Sequence, residues 1–255
     1  MANLLELCDV LDTYKSKKHG VIALSEYNLW FPLKPSAALA GIVGDLMGDG
    51  HLQDAPKLRV DYTSKYVCEL DRFDKEVSGL FGIHGKIRRC TTNKYNTKNL
   101  GINNKPFARV LKLIGVPTGP KVSKSFSIPR WILEDKVLFS RFINRLFSCE
   151  ACVDVQSKCI ELRMYKSLEL LEDGISFFNQ IKYYLLLYFK IETTNPFLEG
   201  RVTVGKYGKM TKGIRIKIKR KDSVTKYYEF VGFEDTRKQE RLGKVVLSFS
   251  KSNII

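Results

Sequence analysis

A short stretch of small and apolar residues, IVGDLMGDG at positions 42–50, decides the fold. Three small residues recur in and around it at every fourth position: Ala40, Gly44 and Gly48. That spacing places them on one face of a helix. Because glycine inside a helix costs about 0.5–1 kcal/mol against alanine, we expect this face to pack closely against a second helix. Asp49 and Gly50 follow, where we expect the helix to end and a strand to begin.

A second stretch, INRLFSCEA at 143–151, lies about 100 residues further along the chain. It ends in Cys149, Glu150 and Ala151, again an acid between two small residues. Its helix supplies Arg145 and Cys149 to the predicted helix–helix interface. If the two helices pack side by side, Asp49 and Glu150 come close together. Oxygen ligands of this kind are those that Mg²⁺ prefers, so the sequence predicts two or more divalent ions at a domain interface.

The segments around both stretches follow one order of elements. The first copy predicts a helix, two strands, a helix, two strands and a helix at 36–48, 51–64, 65–80, 85–103 and 106–114. The second copy repeats the order at 131–149, 152–165, 167–189, 193–220 and 222–231. Gly115 and Gly232 are predicted to end the last helix of each copy, where a left-handed backbone favours glycine. This order predicts an α+β protein with two pseudo-symmetric αββαββα domains, antiparallel sheets and a central two-helix interface.

The predicted domain boundaries follow from the same pattern. The domains are an N-terminal extension at 1–35, a first domain at 36–118, a linker at 119–133 and a second domain at 134–255. The linker is placed by three prolines and two glycines in GVPTGPKVSKSFSIP. The role of the extension stays open at this point.

Charge is the strongest compositional signal. The 255 residues contain 43 Lys and Arg against 27 Asp and Glu, a formal net charge of +16. Residues 77–133 hold eleven bases and no acid, and residues 201–255 hold fifteen bases and five acids. Such blocks indicate a polyanionic partner. No apolar run approaches the roughly 20 residues that a membrane span needs, so nucleic acid is favoured over a membrane.

Basic residues alternate with apolar ones in several predicted strands. In IRIKIKRK, residues 214–221, the isoleucines fall on one side of a strand and the bases on the other. A basic sheet face of this kind can enter the DNA major groove, although a solvated face would also carry charges. The predicted DNA contacts are Lys57, Arg59, Lys86, Arg88, Lys94, Lys98, Arg163, Arg201, Arg215, Lys217 and Lys219. Four tyrosines lie in or near these strands and could contact bases or pack on neighbours: Tyr62, Tyr95, Tyr165 and Tyr207.

The two motif stretches, 42–50 and 143–151, resemble a known family, the LAGLIDADG homing endonucleases of the monomeric, two-motif type. Gly44 falls on the first glycine of the family signature, Asp49 on its metal-binding acid and Gly50 on its last glycine. Glu150 takes the acid position in the second copy. The SIPRWIL and GFEDTRKQERL segments are also similar, so the resemblance covers residues 36–245.

The resemblance implies a magnesium-dependent hydrolase that cuts both strands of a long, non-palindromic DNA site across the minor groove. It implies that Asp49 and Glu150 are catalytic and bind the metal. It further implies a basic residue near the last helix of each domain, which we assign to Lys105 and to Lys221, with Lys219 as the alternative. A plain phosphate-positioning role for these lysines stays open.

Two positions depart from the family signature. Arg145 stands where the second copy should have its first glycine, and Ala151 where it should have its last. Arg145 could pair with Asp45 across the helix interface, or it could mark a loosened interface with weak or lost cleavage. Asp45 is also a rival for the metal-binding acid. We prefer Asp49, because Asp45 lies one turn earlier and its counterpart in the second copy is Leu146.

These observations leave two functions from different classes. The first is a site-specific, double-strand DNA endonuclease of the intron-homing kind. The alternative is a non-cleaving nucleic-acid binder on the same fold, such as an RNA maturase that contacts intron RNA, or a DNA-binding regulator. We expect a monomer with no membrane partner, in the cytoplasm or an organellar matrix and not secreted. The lack of recognisable splice residues at the ends favours an intron-encoded or free-standing protein over an intein.

Overall fold

The computed structural model describes residues 2–90, 96–205 and 208–251. The chain forms two compact units. Unit 1 contains the chain up to Gly119 together with Pro129–Leu138, and unit 2 contains Pro120–Ile128 together with the chain from Phe139 onward. The segment predicted as a linker, 119–133, is therefore divided between the two units, and the predicted N-terminal extension, 1–35, belongs to unit 1.

Unit 1 combines helices with a four-stranded antiparallel sheet. Its helices are α1 (Leu7–Leu11), α2 (Lys17–Leu24), α3 (Ala37–Met47), α4 (Val67–Phe81), α5 (Lys105–Leu113) and the one-turn α6 (Arg130–Leu133). Its strands are β1 (Gly50–Leu52), β2 (Val60–Ser64), β3 (Lys86–Arg89) and β4 (Lys98–Ile102), in the spatial order β1-β2-β4-β3. The first motif stretch thus forms most of α3, the turn that follows it and the start of β1.

Unit 2 repeats this arrangement. Its helices are α7 (Lys136–Glu150, which begins at the end of unit 1), α8 (Leu171–Phe189), α9 (Lys221–Phe230) and α10 (Thr236–Lys251). Its strands are β5 (Ala151–Asp154), β6 (Cys159–Ser167), β7 (Phe197–Val204) and β8 (Met210–Ile218), in the spatial order β5-β6-β8-β7. The two sheets have the same topology, which confirms the predicted α+β class with two pseudo-symmetric halves. The predicted pairing of the two motif helices stays a prediction.

Each sheet has one face towards the core and one that we call the open face. In β8 the side chains of Ile214, Ile216 and Ile218 are buried, while those of Arg215 and Lys217 are half-buried on the open face. The predicted alternation is therefore confirmed in this strand. In unit 1 the register pairs Thr63 with Asn99 and Asn99 with Arg88, and these three define its open face.

The end of α3 explains the last glycine of the first motif. Ser36 begins the helix, because its side-chain oxygen accepts a hydrogen bond from the Leu39 N–H at 3.2 Å. The helix ends at Met47, and Gly50 then starts β1 against the last turn. A Cβ at position 50 would lie 2.6 Å from the Leu46 Cα, so only glycine fits there. In unit 2 the helix continues to Glu150, one residue before β5, and an alanine takes the corresponding place.

The N-terminal residues pack on the helices of unit 1. The Arg109 guanidinium donates to the Thr13 carbonyl oxygen at 2.7 Å and lies 4.0 Å from the centre of the Tyr14 ring. The indole of Trp30 donates to the Phe81 carbonyl oxygen at 2.8 Å. These contacts make the extension a structural part of unit 1.

The helix stops predicted at two glycines are confirmed. Gly115 has φ +105° and Gly232 has φ +63°, in the left-handed region that favours glycine. The Gly232 N–H donates to the Tyr227 carbonyl oxygen at 2.7 Å, which closes the last turn of α9. Tyr62 lies on the core face of β2, 2% exposed and stacked on Phe73, so it packs in the core.

One lysine, Lys166 of β6, is buried in the core of unit 2. It is 4% exposed, and its ammonium group donates to the carbonyl oxygens of Lys121 at 2.8 Å and Lys124 at 2.5 Å. Burial lowers the pKa of Lys166 to about 8; the charge of Asp173 opposes this shift and that of Lys121 adds to it.

We expect this pKa to make unit 2 more stable at alkaline pH. The unfolded chain keeps the Lys166 proton until roughly pH 10.4, whereas the folded chain releases it near pH 8. Unfolding therefore takes up a proton between these values, and the free energy of unfolding rises with pH. Relative to Lys166→Met, the wild type should gain about 1–3 kcal/mol between pH 7.5 and 10 in urea unfolding followed by circular dichroism. An equal pH response of both proteins would contradict this prediction.

Candidate functional site

The acid of the first motif, Asp49, lies in the turn between α3 and β1. Its side chain is exposed, and it directly precedes Gly50, whose partner in the sheet is Tyr62. The neighbouring row of the open face runs from Thr63 to Asn99 and Arg88. Asp49 therefore stands at one end of this sheet, at the edge of its open face.

The acid of the second motif, Glu150, is the last residue of α7 and lines a cavity of about 290 Å³ in unit 2. The other lining residues come from the segment 121–122, from Cys149 and from β6: Lys121, Val122, Cys149, Arg163, Met164 and Tyr165. Burial raises the pKa of the Glu150 carboxyl above its ordinary value, against the opposing charges of Lys121, Lys238 and Arg163. The cavity thus combines one half-buried carboxyl group with surrounding cations.

The C-terminal end of α7 is held by α10. The Lys238 ammonium donates to the carbonyl oxygens of Ser148 at 2.5 Å and Cys149 at 3.4 Å. A cation at this end of a helix is favourable, because the last carbonyls carry partial negative charge. The Ser148 hydroxyl accepts a hydrogen bond from the Glu234 N–H at 2.7 Å. The GFEDTRKQERL segment therefore anchors the end of the helix that bears Glu150.

The structure distinguishes Asp49 from its rival, Asp45. Asp45 is 1% exposed, and the Arg72 guanidinium binds both of its carboxylate oxygens at 2.8 and 2.9 Å. Burial alone would lower the pKa of Arg72, but the charge of Asp45 and the hydrogen bonds to it raise that pKa above its ordinary value. An acid bound in this way is neutralised within unit 1, whereas the Asp49 side chain is exposed. The choice of Asp49 as the metal-binding acid stays a prediction.

Arg145 also has an ionic partner in its own unit. It is completely buried, and its guanidinium lies 3.4 Å from a carboxylate oxygen of Glu234, which also pairs with Arg141 at 2.9 Å. Arg145 thus takes part in the network that fixes α7 to the segment before α10. The pairing of Arg145 with Asp45 stays a prediction.

The open face of the unit 2 sheet is a network of bases and acids. Lys217 pairs with Glu161 at 2.6 Å, and Arg215 pairs with Glu161 at 3.0 Å and closely with Glu199. Hydrogen bonds to Arg215 lower the pKa of Glu199, and a hydrogen bond to Glu161 raises the pKa of Lys217. Arg163 lies 3.4 Å from Glu199. The positive charges of two predicted DNA contacts, Arg215 and Lys217, are therefore partly neutralised by ion pairs with acids.

The predicted contacts of unit 1 are more dispersed. Lys86 and Arg88 lie in β3, where every side chain is exposed. The guanidinium of Arg59 binds Asp61 at 3.1 Å, and Gln53 donates to the same carboxylate at 2.6 Å. Lys57 lies in the exposed turn before β2 and not in a strand, because β2 begins at Val60.

The remaining predicted contacts fall elsewhere. Lys98 lies on the same face of β4 as the buried Leu100, so it does not share the open face with Asn99. Arg201 is exposed in β7, and Lys219 is exposed just after β8 ends. Lys94, Tyr95 and Tyr207 lie outside the described residues. Tyr165 is on the open face of β6, where its hydroxyl donates to Glu199 at 3.3 Å.

The predicted catalytic lysines follow the last residues of β4 and β8, several residues beyond the row of the sheet that leads to each acid. Lys105 is the first residue of α5 and Lys221 the first of α9. In β8 the strand continues for three residues beyond Arg215, roughly 10 Å at 3.3 Å per residue, before Lys219 and Lys221 follow. The Lys221 ammonium donates to the Phe249 carbonyl oxygen at 3.1 Å. The structure therefore does not bring Lys221 to Glu150, and the catalytic role of both lysines stays a prediction.

Sequence reasoning missed two of the cations that surround Glu150. They are Lys121 and Lys238, and they join Arg163, which was predicted only as a DNA contact. Lys238 lies in the GFEDTRKQERL segment, so the resemblance offered a signal for it. Among the described residues no group of three or more His, Cys, Asp or Glu side chains could hold a metal ion by itself. No helix in the described ranges is long and apolar enough to cross a membrane.

The chain has the LAGLIDADG-type fold, because each half has the αββαββα order and the two four-stranded sheets share one topology. Among solved structures, the homing endonuclease I-WcaI bound to its DNA recognition sequence has a TM-score of 0.53 at 11% identity, over 92% of this chain and 97% of that one. Full-length DUF199/WhiA from Thermatoga maritima has a TM-score of 0.49 at 14% identity, over 87% of this chain and 69% of that one. These likenesses concern the fold alone.

Comparison with curated sequences gives partial matches. The tRNA-splicing ligase RtcB of Pyrococcus abyssi is 27% identical over 262 residues, which is 94% of this chain and 27% of the ligase. The replication factor C small subunit of Methanocaldococcus jannaschii is 30% identical over 121 residues, 44% of this chain and 6% of that protein. The chain thus spans about a quarter of the ligase, and less of the second protein. No family model matches the chain.

Proposed function

We propose that this chain is a site-specific, double-strand DNA endonuclease that depends on divalent metal ions, with Mg²⁺ as the natural one. The observation that carries the proposal is the position of Glu150, a half-buried carboxyl group at the end of a motif helix, in a cavity with cations around it. A binding protein gains little from an acid beside the cations that attract phosphates. A nuclease needs it, because an acid there can hold a metal ion.

The residues present fit a divalent ion of the magnesium type. Asp49 and Glu150 supply carboxylate oxygens, the hard ligands that Mg²⁺ prefers. Each unit offers one such acid at the end of its motif helix, and Mg²⁺ commonly completes its coordination shell with waters and substrate phosphates. Once bound, such ions would activate a water and stabilise the charge on the phosphodiester oxygens. We assign the metal-binding role to these two acids.

The other residues of the site have roles that follow from their contacts. Arg163 and Lys121 line the cavity with Glu150, so they can bind an anionic oxygen that enters it. Lys238 holds the end of α7 and fixes the position of the Glu150 backbone. Val122 and Met164 form the apolar part of the cavity wall.

The curated relatives also support this function. This chain matches minor segments of two proteins with different names, a tRNA-splicing ligase over 94% of the chain and a replication factor subunit over 44% of it. A segment that recurs within otherwise different proteins is expected of a mobile genetic element. A nuclease that cuts one long DNA site gives such an element a means to move. We propose homing as the biological role: the enzyme would cut a host DNA sequence that lacks the element.

The alternative is a non-cleaving nucleic-acid binder, an RNA maturase or a DNA-binding regulator. Two observations favour it: Arg145 and Ala151 depart from the motif, and acids offset part of the charge on the open face of unit 2. On this reading the cations near Glu150 would contact phosphates without cleavage. Monomeric state and localisation in the cytoplasm or an organellar matrix are further proposals.

A cleavage assay distinguishes the two functions. One substrate is the host DNA sequence without the inserted element, and a second is a randomised DNA library. Each is tested with either Mg²⁺ or Ca²⁺ as the only divalent ion. We expect double-strand cutting with Mg²⁺, and binding without cutting when Ca²⁺ replaces it. Tight binding of DNA or intron RNA with no cutting in Mg²⁺ would support the alternative and overturn the nuclease.

We predict that the salt dependence of DNA binding separates exposed from paired cations. Arg88→Gln, in the exposed strand β3, should weaken binding and reduce the slope of log Kd against log salt by about 1. Lys217→Gln is the matched control, because its ammonium is paired with Glu161 at 2.6 Å and should release fewer counterions. Fluorescence anisotropy at several salt concentrations measures both slopes. Equal losses of slope would show that Lys217 leaves Glu161 to bind a phosphate.

A further inference from the structure

A short segment of unit 2, residues 120–128, precedes the rest of that unit in the chain, and we call it the strap. Its flanking residues, Gly119 and Pro129, belong to unit 1. The Ser125 hydroxyl donates to Asp173 at 2.5 Å, and the Ile128 N–H donates to the Gln180 side chain at 3.1 Å. The strap therefore has specific partners on α8 along its second half.

The first half of the strap is held by Lys166. Its ammonium donates to the carbonyl oxygens of Lys121 and Lys124, and it lies 3.8 Å from the centre of the Phe126 ring. Gly174 leaves room for the stem of this lysine, since a Cβ there would lie 2.9 Å from the Lys166 Cγ. One buried cation thus binds three residues of the strap at once.

The same part of the strap leads to the cavity of Glu150. A 3-10 turn, Lys121–Ser123, begins at the point where Lys166 binds the backbone. The side chains of Lys121 and Val122 line the cavity together with Glu150 and Arg163. The position of the Lys121 cation in the cavity therefore depends on where the strap is fixed.

We propose that Lys166 is a positioning residue, which fixes the strap so that Lys121 stands in the Glu150 cavity and binds a phosphate oxygen of the DNA. The proposal rests on the proposed nuclease function only in its last step. Fixing this strap with an ammonium group is costly, because removing a charge from water carries a penalty that apolar contacts lack. The ammonium offsets this cost by donating directional hydrogen bonds to two backbone carbonyls, which a methionine of similar volume cannot do.

The first test measures the strap without DNA. Hydrogen–deuterium exchange of the intact chain is compared for the wild type, for Lys166→Met and for the control Lys212→Met. Lys212 is the residue of β8 that lies opposite Lys166 of β6 in the sheet register. We expect exchange of strap amides to rise at least tenfold in Lys166→Met and to stay within about twofold in the control. Phe126→Ala, which removes the ring beside the ammonium, is the second variant if Lys166→Met folds poorly. Unchanged strap exchange in folded Lys166 and Phe126 variants would overturn the proposal.

The second test measures cleavage. Lys166→Met and Lys121→Met should each lower kcat by about 10- to 100-fold and should weaken the Kd for DNA by a smaller factor that is equal in the two variants; Lys166→Arg should recover part of both losses. Strap opening with undiminished cleavage would overturn the positioning role. If the wild type cuts no DNA, the proposed function fails by itself. The same variants are then compared in DNA affinity, where a loss in both Lys166→Met and Lys121→Met supports the positioning of Lys121 and no loss overturns it.

Discussion

Asp49→Asn and Glu150→Gln are each expected to abolish DNA cleavage and to leave DNA binding intact. The amide keeps the shape of the carboxyl group but loses the charge that attracts a divalent ion. Metal ions contribute several kcal/mol of transition-state stabilisation, and each 1.36 kcal/mol changes a rate tenfold. We therefore expect a loss of at least about 10³-fold in kcat, measured with saturating enzyme on the target site.

Glu150→Gln should also make the protein more stable. Burial raises the pKa of Glu150, so the folded state binds this proton more tightly than the unfolded state does. The resulting stability is present at acid pH and is lost as pH rises through the raised pKa. At neutral pH the carboxyl group is ionised in the unfolded chain, so its raised pKa in the folded state is a net cost to stability, and a neutral amide removes that cost. We expect the thermal midpoint to rise by about 2–4 °C.

Divalent ions and a control variant make this result specific. Mg²⁺ should raise the midpoint of the wild type, because a ligand that binds the folded state stabilises it, and should raise that of Glu150→Gln less. Glu169→Gln, which removes an exposed acid of unit 2, is the control and should leave cleavage unchanged. Cutting by either Asp49→Asn or Glu150→Gln at the wild-type rate would reject the assignment of the site. A thermal midpoint lower for Glu150→Gln than for the wild type would contradict the claim that the Glu150 carboxyl group destabilises the folded protein.

Local patterns in the sequence were sufficient to predict the αββαββα order of helices and strands in both halves. The isoleucines 214, 216 and 218 alternate with bases, and they form a strand with one buried face. Gly115 and Gly232 end their helices in the left-handed conformation. Signals of this kind depend on residues a few positions apart, so one sequence contains them in full.

The partners of the site residues could not be predicted in this way. Glu199 reaches Arg215 through a strand pairing that shifts register between Leu198 and Val202, and no local pattern specifies such a shift. Lys121 and Lys238 are distant from Glu150 in the sequence and approach it only in the fold. The helix ends differ as well. Helix α3 stops before Asp49, whereas α7 continues through Glu150, so one acid is exposed and the other lines a cavity.

Arg72→Met is expected to destabilise unit 1 by about 3–5 kcal/mol, the largest effect on stability that we predict. Arg72 binds both carboxylate oxygens of Asp45, which is 1% exposed, and it also contacts the hydroxyl of Tyr62 at 3.3 Å. Removing the guanidinium takes the charge of Arg72 away from a buried carboxylate. Both tryptophans of the chain, Trp30 and Trp131, lie in unit 1. Their fluorescence in urea therefore reports this unit separately from unit 2.

A double variant shows whether the cost comes from the unpaired charge or from lost packing. Unit 2 has Leu146 at the position that corresponds to Asp45, and that leucine is fully buried. Replacing a buried ion pair by apolar residues of similar size is often neutral or stabilising, so Asp45→Leu with Arg72→Met should recover most of the stability. Arg130→Met, which breaks an exposed pair with Glu134, should cost less than about 1 kcal/mol. If the double variant is as unstable as Arg72→Met alone, the guanidinium stabilises unit 1 by packing and not by charge.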